Sequence, residues 1–335
     1  MQVTAAACTG LRSAYGDLMS AASFIEVLKP EQQRLPVVLS CPHAGLELPA
    51  ALTAKSSLSN KDLLSTTDFG VRDLVEPAAR DLGVPLVICT AARSFLDVNR
   101  APEEIDLSLF DESSLRPPAR NRSPRVLAGH GIIPTRTRNN SLIYGETKLS
   151  TEDFEARLDA AYHPFHQALA EQIEATLDQF DFCILLDCHS MPAMSPSASM
   201  SLRRDRNPFR LKQVPGEGEG LSTGSVDAVL GDRFGATCAK PVVLAILHRL
   251  WRDGLMVEWN RPYAGGHIIQ RHADLERGVH AVQFELSRDL YLDSDLEPSA
   301  RFAAVQSMVT SVVERLGCLD ADILSESNDN SMIME

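Results

Sequence analysis

The stretch CILLDCHSMPA, residues 183–193, decides the fold prediction for this chain. Residues 183–186 are an apolar run, which is typical of a buried β-strand. The run stops at four chemically active side chains in succession: Asp187, Cys188, His189 and Ser190. Such an ending either caps the next helix or brings reactive groups to the edge of a sheet.

Similar patterns along the chain predict the other elements. Apolar runs predict further strands at 36–40, 85–89, 242–246 and 281–286. Helical patterns lie between them at 71–82, 151–178 and 298–316, and the second begins with Ser150 or Thr151 ahead of acidic residues, as a helix cap does. Strands that alternate with helices predict an α/β fold with helices on both faces of the sheet.

The chain is expected to form one domain with short additions. We predict a peripheral N-terminal segment at 1–33, a single domain at 34–324 and a mobile tail at 325–335, because both ends are rich in small or polar residues. Two polar stretches, 101–140 and 195–225, are longer than ordinary connections, and such loops usually serve a site or are disordered.

Composition excludes several classes of partner. The 335 residues carry a net charge of -13, which disfavours nucleic acid as a partner because that interaction needs many Lys and Arg. The seven cysteines are widely spaced without a CxxC pair, which favours a reducing cytoplasm over a disulfide-bonded protein. The N-terminus lacks the pattern of a signal peptide, and no apolar stretch is long enough for a membrane span.

Side chains that follow the predicted strands suggest a metal centre. Ligands of open α/β sheets collect beyond the carboxyl ends of the strands, and His43 and His189 both lie there. Imidazoles are good zinc ligands, and a catalytic zinc usually takes three protein ligands and one water. We predict one Zn²⁺ with a carboxylate as the third ligand, for which Asp68 is the first candidate and Glu47 the alternative.

Nine segments together resemble the N-formylglutamate amidohydrolase family. In chain order from about residue 36 to 293 they are SCPHAG at 40–45, TTDFGVRDL at 66–74, ARSFLDVNR at 92–100, HGIIPT at 130–135, YHPFH at 162–166, LLDCHSMP at 185–192, VLGDRFG at 229–235, NRPYAGG at 260–266 and VQFELSRDLYLD at 282–293. The family is similar in fold to zinc carboxypeptidases and aspartoacylase-type deacylases. The resemblance therefore implies a three-layer α/β/α sandwich with a mixed, mostly parallel sheet.

The resemblance and the residues jointly imply metal-dependent hydrolysis of an N-acyl amino acid, with N-formyl-L-glutamate as the expected small-molecule substrate. Glu285 is the expected general base and then acid, because it lies on an otherwise apolar strand. Arg100 is expected at the catalytic centre. Together with Asn99 it resembles the Asn-Arg pair with which zinc carboxypeptidases hold a substrate carboxylate. The other predicted substrate-binding residues are Arg93, Arg261 and Tyr263.

Other interpretations stay open at this point. The same scaffold suits another N-acyl amino acid or a γ-glutamyl amide, and a degenerate site would bind acyl amino acids without turnover. A cysteine hydrolase built on Cys41 or Cys188 would be inactivated by thiol alkylation and would withstand chelators. His163 and His166 are predicted to be structural, since their spacing is not that of a helical zinc pair.

Overall fold

A computed structural model describes residues 23–110, 123–194, 222–223 and 225–324. Within them, seven strands form one sheet in the order β1-β3-β2-β4-β7-β5-β6. The strands are β1 Ile25–Leu28, β2 Val37–Cys41, β3 Leu86–Cys89, β4 Cys183–Met191, β5 Ala228–Gly231, β6 Val257–Trp259 and β7 Val279–Ser287.

The sheet is mixed and mostly parallel. Strands β3, β2, β4 and β7 run parallel to one another, and β6 runs parallel to β5. The antiparallel pairs are β1 with β3 at one edge and β5 with β7 near the other. The predicted α/β class is thus confirmed, and the central parallel strands bring their carboxyl ends to one edge of the sheet.

Helices cover both faces of the sheet, as predicted. The described α-helices are α1 Ala50–Thr53, α2 Asn60–Leu64, α3 Val71–Leu82, α4 Pro124–Leu127, α5 Thr151–Arg157, α6 His163–Phe180, α7 Lys240–Arg252, α8 His267–His272 and α9 Phe302–Gly317. One turn of π-helix, Leu158–Tyr162, joins α5 to α6, and 3-10 turns lie at Leu107–Leu109, Leu275–Arg277 and Arg288–Leu290. None of the described helices is long and apolar enough to span a membrane.

Alternate side chains of the strands enter two separate cores. Val37 and Leu39 of β2 pack in the core that includes α3, α7 and α9, whereas Val38 packs in the core that includes α6 and α8. Every residue of β4 and β7 is buried. These central strands therefore form a rigid base for the side chains at their carboxyl ends.

Two predictions about the elements were wrong. Residues 242–246, predicted as a strand, lie in α7, where Val242, Val243, Ile246 and Leu250 form a buried stripe with the period of a helix. The strand predicted from the apolar run 183–186 continues to Met191, so the polar residues 187–190 lie on β4 itself. Its neighbour β7 pairs with it along its whole length, which allows the strand to continue through them.

The ends of the chain differ from the predicted outline in one respect. Strand β1 lies within the segment 1–33 and forms an edge of the sheet, so that this part of the segment belongs to the domain. The predicted tail at 325–335, residues 1–22 and most of the polar stretch 195–225 lie outside the described residues.

Candidate metal centre

Three buried side chains meet at the carboxyl ends of the central strands. His43 follows β2, His189 lies near the end of β4, and Asp68 directly precedes the turn into α3. The backbone N–H of Asp68 donates to the carbonyl oxygen of His43 at 2.8 Å, which fixes the two chain segments against each other. The three side chains are only 2–3% exposed.

The donor atoms of these residues form a small triangle. Nδ1 of His43 and Nδ1 of His189 are 3.1 Å apart, and they lie 3.5 Å and 3.2 Å from Oδ2 of Asp68. Two ligands of a tetrahedral zinc ion bound at 2.0–2.1 Å lie about 3.3 Å from each other. The triangle therefore has the size that three ligands of one small cation need, and the three residues could hold a metal.

Carboxylates fix the orientation of both imidazoles. Nε2 of His43 lies 2.7 Å from Oδ1 of Asp97, and Nε2 of His189 lies 2.9 Å from Oδ2 of Asp187. A carboxylate accepts, so each Nε2 carries the proton and each Nδ1 turns its lone pair toward Asp68. Three acceptors that converge in this way repel one another unless a cation or a proton lies between them.

The electrostatics agree with that requirement. Burial by itself lowers the pKa of His189, but Asp187 and Asp68 outweigh it and hold this pKa well above its usual range. Burial likewise opposes ionisation of Asp68, yet His189 and His43 hold its pKa well below the usual range. These shifts favour a proton shared within the triangle, which is the place that a bound cation would take.

A fourth functional group lies beside the triangle on the neighbouring strand. Glu285 of β7 is the register partner of His189 and is 7% exposed. Nε2 of Gln283 donates to Oε1 of Glu285 at 2.7 Å, which fixes the carboxyl group through one of its oxygens. Burial raises the pKa of Glu285, so this group is suited to take up and return a proton.

A cavity of about 400 Å³ opens over the triangle and Glu285. Its wall combines the acidic residues of the centre with five arginines: Arg93, Arg100, Arg125, Arg138 and Arg288. In a protein with a net charge of -13, this local concentration of guanidinium groups selects for an anionic ligand.

Comparison with known proteins identifies the relatives of this chain. The sequence profile of the N-formylglutamate amidohydrolase family matches residues 35–292. The chain belongs to this family. A protein of Pseudomonas putida named N-formylglutamate deformylase is 28% identical over 273 residues, which cover 82% of this chain and 87% of that protein.

Two further relatives of the N-formylglutamate amidohydrolase family agree with this assignment. An N-formylglutamate deformylase of Pseudomonas aeruginosa is 25% identical over 87% of this chain and 94% of its own length. The crystal structure of an N-formylglutamate amidohydrolase from Ralstonia eutropha superposes with a TM-score of 0.72 and 26% identity, covering 91% of this chain and 99% of the other. The match thus extends over nearly the whole of each relative.

Four of the five residues predicted to hold the substrate line the cavity, namely Arg93, Asn99, Arg100 and Tyr263. Arg93 donates to Oδ2 of Asp97 through Nε at 2.9 Å and through Nη2 at 2.7 Å. Arg100 donates to the carbonyl oxygens of His130 and Asn99. Tyr263 is half-buried in the cavity wall. These contacts place Arg93 and Arg100 on the Asp97 side of the cavity.

The fourth of these residues, Asn99, makes structural contacts. Its Nδ2 lies 3.2 Å from Nε2 of His189 and 3.5 Å from Oδ2 of Asp187, while its Oδ1 accepts from the N–H of Ile268 at 2.8 Å. Both ends of the amide are thereby engaged. Because Nε2 of His189 carries the proton that Asp187 accepts, Nδ2 of Asn99 donates to Asp187, and Oδ1 of Asn99 ties α8 to the site.

Two predicted candidates lie away from the cavity. Arg261 is exposed and does not line the cavity described above; the preceding Asn260 is anchored to Asp232. The substrate-binding role of Arg261 stays a prediction. Glu47 is also exposed and is held through its backbone to Ala91, and the triangle contains Asp68 instead.

The thiols do not form a nucleophilic site. Cys41 and Cys188 are both buried in the core beneath the sheet, and burial raises the pKa of each thiol above its usual range. A cysteine nucleophile needs a lowered pKa and access to the substrate, and these two residues have neither. The prediction of a cysteine hydrolase is therefore not supported by the site of this family member.

Sequence reasoning missed the roles of Asp97, Arg138 and Arg288. Asp97 lies in the ARSFLDVNR segment of the family resemblance, and that segment was the available signal. Arg288 directly follows the strand that carries Glu285, and that position was the available signal. Arg138 lies in an irregular loop within a long polar stretch, and no pattern in the sequence distinguishes it.

Proposed function

We propose that the protein hydrolyses N-formyl-L-glutamate to formate and L-glutamate, with one Zn²⁺ held by His43, Asp68 and His189. The observation that carries this proposal is the convergence of three acceptor atoms within 3.1–3.5 Å of one another, beside the buried carboxyl group of Glu285. Family membership supports the substrate, because two relatives are named N-formylglutamate deformylases.

The metal supplies one part of the chemistry. When bound, a divalent cation polarises the formyl carbonyl and lowers the pKa of water toward ~7. Asp97 and Asp187 hold the two imidazoles in the orientation that presents Nδ1. Asn99 donates to Asp187, the carboxylate that orients His189, so the geometry of the centre is fixed before substrate arrives.

Glu285 moves the protons of the reaction. It removes a proton from the attacking water through Oε2 while Gln283 holds Oε1. The water oxygen bonds to the formyl carbon, and Glu285 then returns the proton to the amide nitrogen as the C–N bond breaks. Formate carries the water oxygen and glutamate leaves as the amine. Because burial raises the pKa of Glu285, the same group serves first as base and then as acid.

Arginine side chains bind the dianionic substrate in this proposal. The planar guanidinium group pairs with a carboxylate through two parallel hydrogen bonds, which makes Arg93 and Arg100 suited to hold one carboxylate of the substrate. Tyr263, on the cavity wall, contributes a half-buried aromatic surface. The acidic surface of the protein would otherwise repel such a ligand.

Formate release from a panel of related compounds tests the proposal. The panel is N-formyl-L-glutamate, N-acetyl-L-glutamate, N-formyl-L-leucine and a γ-glutamyl amide, with formate or the free amine measured as product. We expect the highest kcat/KM for N-formyl-L-glutamate, loss of activity on chelation and recovery on addition of zinc. Activity that survives chelation, or a clear preference for another compound, would contradict the proposal.

A further inference from the structure

A second positive region lines the cavity on the side of Asp68. Arg288 donates through Nε to Oγ of Ser190 at 2.8 Å, and through Nη2 to the carbonyl oxygen of Thr67 at 2.9 Å and to Oδ1 of Asp68 at 3.2 Å. Arg93 and Arg100, in contrast, lie near Asp97. The cavity thus has arginines in two places, with Arg93 and Arg100 beside Asp97 and Arg288 in contact with Asp68.

Two polar atoms in this region have unmet hydrogen bonds. The side chain of Arg288 is 9% exposed, and its buried Nη1 has no hydrogen-bond partner among the described residues. Oγ1 of Thr66, one residue before the carbonyl that Arg288 contacts, is also buried without a partner in the described part of the chain. Buried polar groups rarely lack a hydrogen-bond partner in folded proteins. Because both residues belong to the cavity wall, a ligand in the cavity could supply the acceptor and the donor.

Arg138 is a further arginine of the cavity wall, and its backbone lies next to Ser65, the residue before Thr66. Its backbone N–H donates to Oγ of Ser65 at 3.4 Å, and the structure gives its guanidinium group no acceptor among the residues described. Partial burial, and then the nearby charge of Arg288, lower the pKa of Arg138. Two like charges that face one cavity repel each other, and an anion between them removes that repulsion.

We propose that Arg138, Arg288 and Thr66 form a second carboxylate subsite that takes the side-chain carboxylate of the substrate. This inference rests on the proposed function. The α-carboxylate shares a carbon atom with the scissile nitrogen and therefore stays close to the centre, beside Arg93 and Arg100. The side-chain carboxylate lies farther along the substrate and reaches the exposed Arg138 at the rim of the cavity.

Such a subsite determines specificity more than rate. A site that is built to pair with a charged group leaves its own arginines unpaired when a neutral analogue binds, and it rejects that analogue strongly. N-formyl-L-glutamine has the shape of N-formyl-L-glutamate without the side-chain charge. The subsite therefore predicts a clear preference of the wild-type protein for the glutamate compound over the glutamine compound.

Arg138→Gln tests this assignment, because the residue is exposed and the substitution spares the metal ligands. We expect kcat/KM for N-formyl-L-glutamate to fall by about 10- to 100-fold, with a change below about threefold for N-formyl-L-glutamine. Arg138→Lys should restore part of the lost activity. The matched control is Arg136→Gln on the same loop, whose guanidinium donates to the carbonyl oxygen of Asn140. This control should leave both substrates unaffected.

The outcomes separate the subsite from the proposed function. If Arg138→Gln reduces kcat/KM for both compounds equally, or for neither, the assignment of the subsite is wrong. The proposal that the protein hydrolyses N-formyl-L-glutamate is not affected by that result. If the wild-type protein with bound zinc hydrolyses neither compound, the proposed function itself is wrong. Zinc content and thermal unfolding equal to those of the wild type confirm that the variant is folded.

Discussion

Replacing Asp187 by asparagine should weaken metal binding while the fold is retained. The substitution preserves the size of the side chain but removes the charge that lies 2.9 Å from Nε2 of His189. Asp187 is fully buried, and its second oxygen accepts from Oγ of Ser40 at 2.8 Å. Loss of such a partner lowers metal affinity by about 10- to 100-fold, which corresponds to about 1.4–2.7 kcal/mol of binding free energy.

Two measurements test this prediction. Competition with a chromophoric chelator gives the zinc affinity directly, and thermal unfolding in excess zinc shows a metal-dependent stabilisation that is smaller by the same free energy. The matched control is Asp227→Asn, another fully buried carboxylate, which accepts from Ser222, Thr223 and the backbone of Met256. The control should lose stability but bind zinc like the wild type.

The reasoning would be refuted by either of two results. Asp187→Asn could bind zinc as tightly as the wild-type protein, in which case the carboxylate does not support His189 as a ligand. Alternatively, Asp227→Asn could lose as much affinity as Asp187→Asn, and the effect would then reflect general destabilisation.

Three further predictions follow from the site and the core. Glu285→Gln should retain zinc but lower kcat by about 10²- to 10⁴-fold, since a positioned base contributes that much; an unchanged kcat in a formate assay would exclude the role. Cys188→Ala, and alkylation of the native protein, should leave formate release unchanged, because this thiol is buried in the core. Burial lowers the pKa of His280 to about 4. The neutral form is therefore favoured by folding, and the stabilisation is complete above pH ~6.5 and is lost as the pH falls toward 4. Asparagine in place of His280 has an oxygen that can accept from the N–H of Ala239 but does not titrate. Between pH ~6.5 and ~4, the free energy of unfolding from urea titrations should therefore depend on pH less steeply than in the wild type, by about 1.4 kcal/mol per pH unit. An unchanged pH dependence would contradict this prediction.

The central part of the fold was predictable because its signals are local. Buried parallel strands are continuous apolar runs, and the runs at β2, β3, β4 and β7 were recognised with small errors at the ends. Helix α3 has the predicted bounds, since its apolar residues recur with a helical period and glycines lie at both ends.

The wrong assignments have a common physical origin. The run Val242–Val243–Leu244–Ala245–Ile246 suits a strand or a buried helix equally well, and only the tertiary position beside α9 decides for a helix. The polar end of β4 was predicted to leave the strand, because a carboxylate and an imidazole disfavour a buried strand. Their partners come from distant segments, namely Asp68, Asn99 and Glu285, and no local pattern reveals them.

Candidate ligands could be predicted from their position after strands, but their partners could not. His43 and His189 lie where an open α/β sheet presents its ligands, and Asp68 was the first choice for the carboxylate. The hydrogen bonds between His43 and Asp97 and between Arg288 and Asp68 depend on contacts between residues that are far apart in the chain. The structure was required to find them.

Metal content measured together with activity tests the central claim most directly. Elemental analysis of the wild-type protein and of His189→Ala should be paired with formate release from N-formyl-L-glutamate, and circular dichroism should confirm that both are folded. The account predicts about one zinc ion per wild-type chain, and loss of both zinc and formate release in the variant. Formate release by His189→Ala without bound metal would contradict the account.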